Sequence, residues 1–109
     1  MNQKVTMKEI PSADRPYEKC LTQGARFLTD EELLAVIIRT GSKDATSLEL
    51  ARSILALEGH GTRLLGLLHH SLKDYCRIKG IGMVKGAQLM CIGELSRRIW
   101  NYKTKETVL

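Results

Sequence analysis

Apolar residues along this chain fall into clusters with helical spacing, each opened by a hydroxyl or acidic residue and closed near a glycine. Thr29-Asp30-Glu31-Glu32 has the spacing of a capping box and leads straight into Leu33-Leu34-Ala35-Val36-Ile37-Ile38. Six such apolar residues could form a strand, but the cap argues for a helix, and the acidic first turn suits the helix dipole. So continuous an apolar surface predicts a central helix, buried nearly all round and ended by Gly41. Thr46-Ser47-Leu48-Glu49 is a second capping box. After it, Leu48, Ala51 and Leu55 recur at steps of three and four, with Leu50, Ile54 and Leu57 widening the stripe, until Gly59 and Gly61 close the helix. Upstream, Asp14 caps a helix with Pro16 in its first turn and Gly24 as its stop, burying Cys20, Leu21 and Tyr17.

Downstream, Thr62 opens a short helix through Leu64, Leu65, Leu67 and Leu68, and Ser71-Leu72-Lys73-Asp74 opens another. A final helix sets Val84, Ala87, Cys91, Leu95 and Ile99 on one stripe, with Trp100 packing at its end. The chain then turns polar, and 103–109 reads as a linker. Prolines occur only at Pro11 and Pro16, so nothing interrupts a helix from Ala25 onward. The expected fold is all-α, a compact bundle of about five helices, spanning 1–102 as one domain of a size that buries a core without metals or disulfides. With only 5% aromatic residues, that core draws on Leu, Ile, Val, Ala and Met.

Charge changes this picture little. The balance of 17 basic to 12 acidic residues gives a net +5, compatible with a nucleic acid or an acidic membrane surface and specific to neither. Cys20, Cys76 and Cys91 are odd in number and far apart, so neither a zinc site nor a disulfide framework is suggested. Reduced thiols packed as small hydrophobes are expected, in the cytoplasm. No apolar run reaches transmembrane length and no signal-peptide core follows the N-terminus, so no membrane partner is expected. His69 and His70 are adjacent, hence about 100° apart on a helix, and with His60 they lack any zinc-binding spacing. Structural histidines are expected, with no metal and no cofactor.

The stretch with the most chemistry is Tyr75-Cys76-Arg77-Ile78-Lys79-Gly80-Ile81-Gly82-Met83-Val84-Lys85-Gly86-Ala87. Two glycines around one isoleucine allow a tight turn between two helices, because glycine reaches φ values that other residues avoid. Ile81 can tuck beneath such a turn. Backbone N–H groups beside a helix N-terminus then favour an anion. A phosphate held this way implies contact with a nucleic-acid backbone and no reading of sequence. Lys79, Gly80, Ile81, Gly82, Val84 and Lys85 are the candidate contacts, within a helix-hairpin-helix over 71–100.

The order and spacing of several short motifs resemble the N-terminal, UPF0758-type domain of the bacterial RadC family, labelled DNA repair proteins. They are Lys8-Glu9-Ile10-Pro11 with Asp14-Arg15-Pro16, Gly24-Ala25, Leu28-Thr29-Asp30-Glu31-Glu32-Leu33-Leu34-Ala35, Arg39-Thr40-Gly41, Leu50-Ala51, Ile78-Lys79-Gly80-Ile81-Gly82 with Lys85, and Gly93-Glu94-Leu95 with Arg97-Arg98. The resemblance runs from about Val5 to Arg98. It departs at Tyr17, where the family usually has Arg, and at Met83 and Gly86, which replace Pro and Ala. Gly86 should weaken the second hairpin helix by about 1 kcal/mol relative to Ala. The resemblance implies DNA, duplex or branched, as a partner. It also implies a C-terminal JAB/MPN metalloprotease-like domain beyond the 103–109 linker, with a His-x-His signature that this chain lacks.

Three functions compete. The first is a DNA-binding module without sequence preference. The second is a protein-interaction or regulatory domain for the JAB/MPN domain, with the hairpin kept only as architecture. A DNA glycosylase is rejected, because that chemistry needs an aspartate well downstream of the hairpin and only nine residues follow Trp100. No enzymatic activity is expected of this chain alone. Arg39 could meet a phosphate or a neighbouring acidic group, or cap its own helix. Arg97, Arg98, Lys103 and Lys105 are expected to complement the C-terminal dipole of the last helix, with nucleic-acid contact as the alternative.

Overall fold

The computed structural model of the chain describes residues 15–59 and 63–108, the last four by backbone alone. Among them the chain is all-α: α1 (Arg15–Gln23), α2 (Asp30–Ile38), α3 (Ser47–Ala56), α4 (Leu72–Cys76) and α5 (Met83–Val108), with 3₁₀ segments at Ala25–Phe27 and Arg63–Leu68. The expected helical class holds. Asp14, read as a cap, and His60, Gly61 and Thr62 lie outside the described residues. The chain divides into two units, 1–53 and 54–109, with the division falling inside α3.

In the first unit α1 packs against α2. Pro16 is the buried residue of α1. Leu21 and Tyr17, expected inside, are exposed, and the Arg39 guanidinium lies 4.0 Å from the centre of the Tyr17 ring. Gly24 stops α1 as expected, with φ 100°, its N–H donating to the Cys20 carbonyl at 2.9 Å. The α2 capping box is formed in both directions: the Glu32 N–H donates to Thr29 Oγ1 at 3.2 Å, and the Thr29 N–H donates to Glu32 Oε1 at 2.8 Å. Lys19 Nζ donates to the same carboxylate at 3.1 Å. The Thr29 N–H, aided by Lys19, holds the Glu32 carboxyl below the usual carboxylate range.

Two expectations for α2 are corrected. It is buried on one side only, through Leu34, Ala35 and Ile38, while Ile37 is exposed. It also ends at Ile38, before Gly41: Arg39 takes φ 66° and its N–H closes the helix on the Ala35 carbonyl. In α3 the Thr46–Glu49 box is formed, and Leu50, Ala51, Ile54 and Leu55 are buried, as the spacing predicts.

In the second unit α5 packs on α4 and on the Arg63–Leu68 segment. The packed side of α5 carries Gly86, Leu89 and Gly93, all buried. This overturns the expected core stripe. Val84, Ala87, Cys91, Leu95 and Ile99 do share one side of α5, but that side is exposed, and Trp100 is 68% exposed. Small residues decide the matter. A methyl group on Gly86 would lie 2.6 Å from Leu72 Cδ1, and one on Gly93 would collide with the Leu67 carbonyl oxygen. Two glycines and one leucine therefore let α5 approach its neighbours more closely than the larger apolar residues could. At Gly86 the missing methyl leaves room for the Leu72 side chain. Residues 103–108, expected as a linker, continue the helix. Cys76 and Cys91, expected to pack, are exposed thiols, and Cys20 is half-buried.

Candidate nucleic-acid interface

The hairpin is built from its capped first helix. The Asp74 N–H donates to Ser71 Oγ at 3.1 Å, and Asp74 Oδ2 accepts the Ser71 N–H at 2.8 Å. The other Asp74 oxygen accepts from Arg77 Nη2 at 2.9 Å. Behind α4, His70 and Tyr75 are buried with their rings edge to face, centroids 5.5 Å apart. His70 Nδ1 lies 3.9 Å from Asp74 Oδ2. Burial, aided by the Asp74 charge, pushes the Tyr75 hydroxyl up to about 12. A five-residue helix is far too short to persist alone. Its cap and the buried Tyr75 hold it in place.

From α4 the backbone turns in steps. The N–H of Arg77 donates to the Asp74 carbonyl, that of Ile78 to Tyr75 and that of Ile81 to Ile78. Gly80 takes φ 99°, a conformation that a side chain would strain. Ile81 is 4% exposed and pins the turn from below, as its flanking glycines suggested. One candidate contact is thereby reassigned. With its amide satisfied inside the turn and its side chain buried, Ile81 anchors the hairpin and is not available to a ligand.

The remaining candidates face outward. Lys79, Gly82 and Val84 are exposed, and Gly80 and Lys85 are half-buried. The Gly82 carbonyl accepts the first intrahelical bond of α5, from Gly86 N–H at 2.9 Å, so Gly82 occupies the cap position. A helix start leaves its first N–H groups without intrahelical acceptors, and glycine brings no side chain to take them. The first turns of α1, α2, α3 and α4 each hold an acidic residue, at Glu18, at Asp30 to Glu32, at Glu49 and at Asp74. The first turn of α5 holds none, and Lys85 stands within it. The positive end of this dipole is therefore offered to solvent, with lysine charge beside it.

Arg97 and Arg98 are engaged with Glu94 and the Leu68 carbonyl. Arg97 donates to Glu94 Oε1 at 2.6 Å and to the Leu68 carbonyl, and Arg98 donates to Glu94 Oε2 at 3.0 Å. Those bonds, Arg98 first, hold the exposed Glu94 carboxyl below its ordinary value. Because α5 runs on to Val108, Arg97 and Arg98 sit mid-helix and do not complement its C-terminal end. Arg77 is an addition that the motif did not single out. Its side chain is 63% exposed beside the turn, and the Asp74-x-x-Arg77 spacing was its signal.

Residues 7–87 match the family model described as UPF0758 N-terminal. The chain belongs to the UPF0758 family. Among curated relatives, a UPF0758 protein of Clostridium perfringens is 42% identical over 90% of this chain and 42% of its own length. One from Alkaliphilus oremlandii is 39% identical over 93% of this chain and 45% of its own. One from Albidiferax ferrireducens is 41% identical over 94% and 47%. The UPF0758 chain thus spans less than half the length of these relatives. No solved structure matches it. Among its described residues no helix is long and apolar enough to cross a membrane.

Proposed function

We propose that this UPF0758 chain is a DNA-binding module without sequence preference, part of a RadC-like repair protein, and that it contacts the phosphate backbone at the α4–α5 turn. The observation that carries the reading is the acid-free start of α5, with glycine at its cap position, next to the Gly80-Ile81-Gly82 turn. A phosphate oxygen there would accept from the first-turn amides, with Lys79 and Lys85 supplying point charge. Backbone contacts position a protein and carry no base information. We assign no turnover to this chain alone. In the longer relatives, the reading has the module bring DNA to a C-terminal JAB/MPN domain.

Gly82→Asp tests the site. A side chain at this position meets nothing within 4 Å, and aspartate is a favoured helix cap, so the fold should be kept while the anion site is filled by a carboxylate. Amide resonances are followed during titration with short duplex and branched DNA. The expected shifts centre on 79–86, and Gly82→Asp should weaken binding at least tenfold at unchanged melting temperature. Each phosphate contact should contribute about −0.9 to the slope of log affinity against log salt on duplex DNA. Equal binding by Gly82→Asp, or shifts centred elsewhere, would refute the assignment.

A further inference from the structure

The first turn of α5 carries two large apolar side chains that the fold leaves on the surface. Met83 is 70% exposed and Val84 74%, the highest values among the exposed large apolar residues of the described chain. Apolar residues scattered singly over a surface need no explanation, but these two are adjacent and stand at the mouth of the candidate phosphate position. Their direction follows from helix geometry. Each Cα–Cβ bond in a helix tilts towards the N-terminus, so the side chains of a first turn lean forward past the helix end. Successive residues are set about 100° apart around the axis. Gly86 faces α4, where a methyl group would meet Leu72 Cδ1. Met83, Val84 and Lys85 then take the three remaining sides, two of them apolar and one cationic. We propose that Met83 and Val84 form an apolar collar around the phosphate held at this helix start, and that the collar selects an internal phosphodiester of DNA over RNA. The proposal rests on the phosphate reading of the α4–α5 turn and adds a ligand preference to it.

The groups that flank a phosphate set the preference. First-turn amides and Lys85 satisfy its charged oxygens. Met83 and Val84 offer no hydrogen bond beyond a weak thioether acceptor, so a polar group laid against them loses its water without a partner. A free phosphate carries oxygen on every side and is penalised in this way. An internal phosphodiester is not, because its two bridging oxygens lead to carbon. One leads to the C5′ methylene, the other to C3′ with C2′ beside it. In DNA both flanks are C–H surfaces that match the collar. In RNA the C2′ atom bears a hydroxyl, the group by which a protein tells RNA from DNA at a given site. Against Met83 and Val84 that hydroxyl is left without a partner. The selection is made on the sugar and on no base, in keeping with a module that does not read sequence.

Fluorescence anisotropy of the chain with a labelled single strand of about 16 nucleotides measures the preference. The strand is prepared as DNA and as RNA in one base order that lacks thymine and uracil. DNA should bind at least about fivefold tighter, the low end for a hydroxyl buried without a partner. Val84→Thr exchanges a methyl for a hydroxyl at constant shape, and Met83→Gln adds an amide at similar length, so each gives the ribose hydroxyl a partner. Both positions are exposed, and melting temperature should hold. The double variant should bring the DNA-to-RNA ratio within about twofold of unity. Differences in strand flexibility are common to parent and variant and cancel in this comparison. Equal binding of the two strands by the parent overturns the proposal, as does a ratio that the double variant leaves unchanged. Displacement of the DNA by inorganic phosphate, where chloride of equal ionic strength does not displace it, overturns it too. Gly82→Asp separates this failure from that of the underlying reading. With no sugar preference but a loss of both strands on Gly82→Asp, the phosphate site stands and the collar alone is lost. A Gly82→Asp chain that binds both strands as the parent does sinks the phosphate reading and the collar with it.

Discussion

Replacing Gly93 with alanine isolates the contact that positions α5. The added methyl would fall onto the Leu67 carbonyl oxygen and lie 3.1 Å from the Leu67 carbonyl carbon. A backbone oxygen has no rotamer to escape into, so α5 and the Arg63–Leu68 segment must separate. That separation also loosens Leu67 and Leu89, both buried. Overpacking of this kind costs about 1–3 kcal/mol, and the rigid obstacle places this site at the upper end. Alanine returns about 1 kcal/mol through its better helix propensity. The net expectation is destabilisation by about 2 kcal/mol, a fall in melting temperature of roughly 8–16 °C for a domain of this size. Gly86→Ala is the matched control. Its methyl meets the end of a flexible side chain, Leu72 Cδ1 at 2.6 Å, which can rotate away. There the propensity gain and the repacking cost nearly cancel, and stability should stay within about 1 kcal/mol of the parent. Thermal and urea unfolding followed by circular dichroism measure both. A Gly93→Ala chain that melts at or above the parent would refute the argument, as would equal losses at the two glycines.

Further outcomes follow from α4. Ser71→Ala removes half of the capping box that starts the hairpin and should cost about 1 kcal/mol in urea unfolding. Tyr75→Phe deletes a buried hydroxyl that has no hydrogen-bond partner among the described residues, so stability at neutral pH should be unchanged or raised by up to about 1 kcal/mol. Its pH signature is sharper. The Tyr75 proton is held more tightly in the folded chain, up to about 12 against an ordinary 10.0. The folded state therefore binds more protons between those values, and stability falls as pH rises through that window. Melting curves from pH 9 to 12 should show a shallower alkaline decline for Tyr75→Phe than for the parent, and parallel declines would count against the burial argument.

Local signals in the chain were read correctly where they are self-contained. The boxes read at Thr29 and Thr46, and the helix start read at Ser71, each unite a hydroxyl, a carboxylate and two backbone amides within four residues, so no distant partner is needed to form them. The Gly80-Ile81-Gly82 turn was equally legible, because its conformation rests on what glycine permits. The faces of α5 were not. Hydrophobicity marked Val84, Cys91, Leu95 and Ile99 for the core, yet the packed side belongs to Gly86 and Gly93, whose value lies in the bulk they lack. Absence of bulk carries no periodic signal until the neighbouring backbone is in place.

The amino-acid order by itself determined an all-α chain, the starts of α2, α3 and α4, and a tight glycine-bounded turn before α5. These depend on interactions spanning a few residues, each able to form wherever the segment lies. Tertiary structure decided which side of α5 is packed, that Ile81 is an anchor and no contact, and that Arg97 and Arg98 are engaged mid-helix. Those outcomes turn on how closely two backbones approach, and that distance is set by residues far apart in the chain, such as Gly93 and Leu67.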